Sequence, residues 1–220
     1  GTHADTLRSA PTLVKVYPGL GTPEATNRRF HKIAGWGADI IQIAADLPCQ
    51  LGYEPDHVMA AGEVGRAGVS IASLRDMERM FDGLPLNRVA RVGMLANAIG
   101  PIGAALFLGL AERQGLKPAD VVVDLQNDPL KEYVARGTQI FPIEPAVRLA
   151  ADVVEWSAEH APHWYPIDVC VNHLNSAGAG STRGTAFAFA NSMAYVEARL
   201  EDMGRFVETY MKLWYAKKPS

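Results

Sequence analysis

Five short apolar runs, separated by longer helical patterns, constrain this chain more than any other feature. They occupy residues 39–45, 69–72, 91–98, 121–126 and 167–173. Runs this apolar bury both faces, and strands buried on both faces belong to parallel sheets covered by helices. The stretches between them carry helix signals. Thr22 is an N-cap and Pro23 a first-turn proline for a helix over 22–34. Ser73, with Asp76 three positions on, comes close to a capping box for 73–81. Helices are also expected over 128–136 and over 144–160, the latter with Val147, Ala151, Val154 and Trp156 at core-facing spacing. A last helical stretch covers 186–216, with a break near Gly204. After that break, Phe206, Val207, Tyr210, Met211, Leu213 and Trp214 form an apolar cluster. Such a cluster suits core packing, cover for an open sheet edge, or pairing with another chain.

This alternation predicts an α/β fold of parallel β/α units, in one domain over residues 1–220. A closed TIM-type barrel takes eight strands and about 250 residues. About five strands in 220 residues make an incomplete barrel, or an open sheet, with C-terminal capping helices. Five strands leave an edge unpaired, which predicts a homo- or hetero-oligomer.

Composition removes several alternatives. Apolar residues are 48% and charged residues 20%, which is globular rather than disordered. A net charge of −3 lacks the basic footprint of a nucleic-acid binder. Two cysteines, Cys49 and Cys170, are too few for a disulfide scaffold and form no metal-ligand spacing. Residues 92–111 are uncharged and long enough to span a bilayer, but Asn97 and Gly100-Pro101 split them into a strand and a helix over 102–113. No membrane partner is therefore expected. Residues 1–11 lack the apolar run of a secretory signal, so a reducing cytoplasm is the expected compartment.

In parallel α/β folds chemistry collects where strands end. Those ends carry Asp46, Asn97, Gln126-Asn127-Asp128 and Asn172-His173, and Arg136 ends the helix after Gln126. Each has a plain structural reading: Asp46 and Asp128 as helix caps, Asn97 as a turn residue, His173 as a satisfied structural histidine, and Arg136 in a surface pair with Glu132. Their recurrence at one end of four strands points instead to a ligand or a polar network. The small, glycine-rich loop after His173 brings backbone close to whatever binds there.

At these residues the chain resembles the catalytic subunit of the adenosylcobalamin-dependent acyl-CoA mutases, the methylmalonyl-CoA mutase family. The resemblance runs collinearly through Tyr17-Pro18-Gly19-Leu20-Gly21-Thr22, the segment from Ala45 to Tyr53, Ala61-Gly62-Glu63-Val64-Gly65-Arg66-Ala67-Gly68-Val69, Gln126-Asn127-Asp128-Pro129-Leu130-Lys131-Glu132, and His173 with Ala177-Gly178-Ala179. It implies a TIM-type barrel threaded by an acyl-CoA, with cobalamin held against the strand ends by another domain or subunit. A radical from the cofactor would abstract hydrogen and the thioester group would migrate.

The resemblance also assigns roles. His173 is implied to hydrogen-bond the thioester carbonyl, Gln126 to contact substrate, and Tyr17 with Arg136 to wedge the adenosyl group and grip a free carboxylate. Asn97 and Asp124 join these as substrate-binding residues. Ala45, Leu47 and Gln50 are implied to face the corrin, and Ser176 stands at the position that contacts the adenosyl ribose. Departures from the family pattern fall on Ala45 (usually Phe), Cys49 (Thr), Gly93 and Leu95 (hydroxyl residues), Asp124 (Thr) and Ser176 (Glu). The basic arm that binds the CoA tail is replaced by Ser9-Ala10-Pro11-Thr12, and no DxHxxG cobalamin-binding sequence is present. The implied activity is isomerisation of a carboxylated acyl-CoA with cobalamin supplied by a partner. The alternatives are a cobalamin-independent enzyme that decarboxylates, cyclises or hydrolyses an acyl thioester, and a non-catalytic binding or assembly protein derived from the barrel.

Overall fold

In the computed structural model, which describes residues 13–198, four strands form one parallel sheet in chain order. They are β1 (Lys15–Val16), β2 (Ile40–Ile43), β3 (Arg91–Leu95) and β4 (Val123–Gln126). Ile40 lies opposite both Lys15 and Arg91, and Val92 opposite Val123. Side chains alternate across the pleat. Ile41, Ile43, Val92, Met94, Val123 and Leu125 join Phe30, Met77, Phe81, Phe107 and Leu110 in a continuous buried core. The opposite face carries Lys15, Gln42, Arg91, Asp124 and Gln126, linked by polar contacts rather than by aliphatic packing.

Helices α1 (Pro23–Gly35), α2 (Leu47–Gln50), α3 (Leu74–Met80), α4 (Gly100–Arg113), α5 (Ile143–His160), α6 (Val171–Ser176) and α7 (Gly180–Glu197) fill the connections. α1 packs on α3, α3 on α4, α4 on α5, and α5 on α7, which lines a cavity with Lys15, Arg91 and Asp124 of the polar face. Local chemistry starts them where expected. Thr22 Oγ1 accepts from the Ala25 N–H at 3.2 Å. Asp76 accepts from the Ala72 N–H and from the Ser73 hydroxyl, each at 3.0 Å. Pro101 occupies the first turn of α4. The uncharged 92–111 stretch is thus β3, a turn and α4, and no helix among the described residues is long and apolar enough to cross a membrane.

Two expected strands do not form. Residues 69–72 contribute only isolated bridges, from Val69 to Gly21 and to Ala45. Residues 167–173 form no strand, and His173 lies instead within α6. The cause lies in β4. A fifth strand begins to pair at Tyr165, whose N–H donates to Val123 O at 2.7 Å and whose carbonyl accepts from Leu125 N–H at 2.8 Å. The Asn127 N–H then turns back to Leu125 O at 2.9 Å, removing the next donor and the next acceptor from the ladder. β1 was not expected because two residues, one of them charged, carry no readable periodicity. The sheet therefore has four strands among the described residues, one of them unforeseen, and these do not close into a barrel.

The expected helix over 128–136 is reduced to a short segment ending in a π-helical turn, Glu132–Arg136, closed by Gly137 at φ 84°. Pro129 disfavours helical backbone at Asp128, which delays the start. The Gly204 break, the apolar cluster beyond it and residues 9–12 lie outside the described residues.

Candidate active site

The polar end of β4 is organised by a lysine with no exposed side-chain surface. Lys131 Nζ donates to Asn97 Oδ1 at 2.6 Å and to Gln126 Oε1 at 2.9 Å. Asn97 Oδ1 also accepts from the Asp128 N–H at 3.2 Å, and Asn97 Nδ2 lies 3.4 Å from Gln126 Oε1. The ends of β3 and β4 are therefore clamped through one ammonium. Burial holds the Lys131 pKa below the ordinary lysine value, while Asp128 and Glu132 oppose that shift. Burial likewise raises Asp128. Its Oδ1 accepts from the Tyr195 hydroxyl at 2.6 Å and its Oδ2 from the Cys170 N–H at 3.4 Å.

The π-helical turn carries the second half of the cluster. Glu132 is also fully buried. Its Oε1 accepts from Arg136 at 3.3 Å, and its Oε2 accepts from the Thr138 N–H at 3.2 Å and from the Thr138 hydroxyl. The Arg136–Glu132 pair foreseen at i,i+4 spacing thus exists, but with a buried carboxylate rather than on the surface. Arg136 keeps 23% of its side chain exposed, so its guanidinium reaches solvent while one nitrogen is tethered. π-turns recur at functional sites.

Helix α6 packs against this turn and brings His173 to it. Burial lowers the His173 pKa, and the positive charges of Lys131 and Arg136 lower it further, against Glu132. The imidazole is therefore neutral at neutral pH, with one nitrogen a donor and the other an acceptor. Nδ1 is buried without a partner among the described residues. A neutral imidazole influenced by Lys131 and Glu132, a guanidinium tethered to Glu132 and an amide held by Lys131 are groups that can donate to a carbonyl oxygen and bind a carboxylate.

The remaining expected residues fall in three places. Asn97 belongs to the cluster. Asp124 does not: its Oδ2 pairs with Lys15 Nζ at 3.2 Å and Arg91 at 3.3 Å on the inner face of the sheet. There the three line a cavity of about 690 Å³ with Tyr165, over whose ring the Arg91 guanidinium lies at 4.0 Å. Tyr17 is 51% exposed, with Lys15 Nζ 5.4 Å from its ring centre, and shares no hydrogen bond with the cluster among the described residues.

Ala45, Leu47 and Gln50 sit just past β2. Asp46 caps α2, accepting from Cys49 N–H at 3.0 Å, and also accepts from Gly65 N–H at 2.7 Å. This explains the glycine run: a Cβ on Gly68 would lie 2.4 Å from the Ala45 carbonyl oxygen. The Cys49 thiol, pushed up to about 12 by burial and by Asp46, bonds the Ile71 backbone and is unreactive. Leu47 is exposed beside Val58 and Met59 on a contacting turn, while the Gln50 Oε1 is buried with no partner among the described residues. Of the three, Leu47 alone offers exposed apolar surface to a flat apolar ring such as a corrin, since Ala45 and Gln50 are buried. Ser176 is exposed at the end of α6.

Sequence reasoning misses Lys131, Thr138 and Tyr195 as members of the site. For Lys131 the available signal is its place in the same distinctive run as Gln126. Tyr195, 67 residues from Asp128, offers none.

A parallel sheet with its polar cluster at the carboxyl ends of its strands is the layout of an α/β enzyme domain. The chain belongs to the methylmalonyl-CoA mutase family, whose model matches residues 1–210. It is 38% identical over 199 residues to the ethylmalonyl-CoA mutase of Methylorubrum extorquens, covering 90% of this chain and 29% of that relative. To the methylmalonyl-CoA mutase of Rhizobium meliloti it is 36% identical over 200 residues, 91% of this chain and 28% of the relative. To the methylmalonyl-CoA mutase large subunit of Propionibacterium freudenreichii subsp. shermanii it is 32% identical over 210 residues, 96% and 29% respectively. The chain thus spans under a third of the length of these relatives.

Proposed function

We propose that this chain is a catalytic portion of an acyl-CoA mutase, binding a carboxylated acyl-CoA such as methylmalonyl-CoA and acting with a cobalamin-bearing partner. The observation that carries the reading is the convergence of His173, Gln126 and Arg136 on the buried Lys131–Glu132 pair. In this reading the neutral His173 imidazole donates to the thioester oxygen and stabilises charge that develops there. Arg136, with one nitrogen held by Glu132, grips the free carboxylate through its remaining N–H groups. Gln126 gives its Oε1 to Lys131 and turns its Nε2 toward the substrate. Tyr17 and Asp124 contact the substrate from the inner face of the sheet.

Adenosylcobalamin, when bound, supplies the hydrogen-abstracting radical chemistry that no side chain here provides. Ala45, Leu47 and Gln50 would face its corrin and Ser176 its ribose. The four strands are one arc of a TIM-type barrel that is completed in a homo- or hetero-oligomer. The two free thiols suit a reducing cytoplasm.

Absorbance and calorimetric titrations of the 220-residue chain with adenosylcobalamin and methylmalonyl-CoA, separately and together, test this reading. Thioester binding that the cofactor strengthens supports it. Failure to bind either ligand contradicts it.

A further inference from the structure

We propose that Lys131 and Glu132 are a positioning pair that orients Gln126 and Arg136 beside His173; this inference rests on the thioester-pocket reading above. Both side chains are wholly buried, and they are adjacent in sequence. Burying two charges costs several kcal/mol each, and packed aliphatic side chains would fill the same space at less cost. Nor does the pair form a tight ion pair: Lys131 Nζ is 4.0 Å from Glu132 Oε1. Each charge makes its short contacts elsewhere. Lys131 reaches the two amide oxygens that end β3 and β4. Because a primary amide is planar, fixing the Gln126 oxygen on the ammonium fixes the direction of its nitrogen as well. Glu132 is itself held by the Thr138 backbone and hydroxyl, so it is a rigid tether for Arg136. A guanidinium with one donor tethered still presents the others in a fixed fork, which is the geometry a carboxylate requires.

His173 lies in the field of the same groups. Lys131 and Arg136 oppose its protonation and Glu132 favours it. From α7, which also packs against α6, come Arg183, whose Nε turns back to Ala179 O at 3.0 Å, and Tyr195, whose hydroxyl is bonded to Asp128.

The test is an NMR titration of the His173 imidazole in the 220-residue chain, without ligand. Lys131→Met moves its pKa up and Glu132→Gln moves it down, with circular dichroism unchanged. Loosening of a merely structural pair would admit water and move both the same way, so shifts of one sign, or none, overturn the proposal. Glu132→Gln is nearly isosteric and carries the test alone where Lys131→Met does not fold. In calorimetry, Glu132→Gln weakens methylmalonyl-CoA about tenfold and leaves butyryl-CoA within about twofold. An equal loss for both thioesters overturns the tethering role. A wild-type chain that binds neither thioester refutes the pocket reading, and the titration then decides for or against the pair on its own.

Discussion

The Tyr195 hydroxyl donates to Asp128 Oδ1 at 2.6 Å and accepts from the Leu130 N–H at 2.9 Å, tying the end of α7 to the backbone that carries Lys131. Burial and the Asp128 carboxylate both raise the Tyr195 pKa, so the phenol stays protonated and remains a donor. Tyr195→Phe removes the short hydroxyl contact to the Asp128 carboxylate and orphans the Leu130 N–H. Chemical denaturation should show a loss of about 1–3 kcal/mol, the range for an unsatisfied buried polar group.

His173 links stability to pH. Its folded pKa lies below the ordinary 6.5, so the unfolded chain takes up a proton before the native chain does. Stability contributed at this site is full above about pH 6.5, falls as pH drops toward the lowered folded value, and is flat below it. His173→Gln should remove that part of the acid-side slope in a series of urea titrations between neutral and mildly acidic pH.

The glycine run is a packing device. Gly68 lies against the Ala45 backbone, and Gly65, at φ 69°, brings its N–H to Asp46. Gly68→Ala must push backbone apart, because the atoms it meets are carbonyl atoms rather than flexible side-chain ends. A loss of about 3 kcal/mol or more is expected, read as a lowered melting temperature.

These particulars separate what the sequence carried from what it did not. β2, β3 and β4 are readable because each run is dense in Ile, Val, Leu or Met, and α1 and α4 because Thr22, Pro23 and Pro101 punctuate them. Residues 167–173 have the same apolar texture, yet their pairing is decided by the Asn127 N–H, a backbone choice that composition does not record. Likewise Gln126 and Asn97 could be singled out as polar residues at strand ends, Arg136 at the end of the helical segment that follows, and His173 at the end of a strand that does not form. The lysine that joins Gln126 to Asn97 could not, because a buried ammonium and a solvated one are written with the same letter. That the Asp124 carboxylate is shared with Lys15 and Arg91 is equally unreadable, because only the sheet register brings those two residues near it.

The inner-face trio has its own consequence. Asp124→Asn leaves Lys15 and Arg91 as two uncompensated cations around one cavity. Because both cations are partly solvated, the expected cost is modest, about 1 kcal/mol, and greater at low salt than at high salt. Melting curves across a salt series would show the difference narrowing as ionic strength rises.

The central claim is that His173 and Arg136 face one bound acyl thioester. Calorimetry of methylmalonyl-CoA and butyryl-CoA with the wild-type chain, His173→Ala and Arg136→Met tests it directly. The account predicts that the histidine substitution weakens both ligands and the arginine substitution weakens the carboxylated one alone. Undiminished binding to both variants, or equal losses of the two ligands on Arg136→Met, would contradict it.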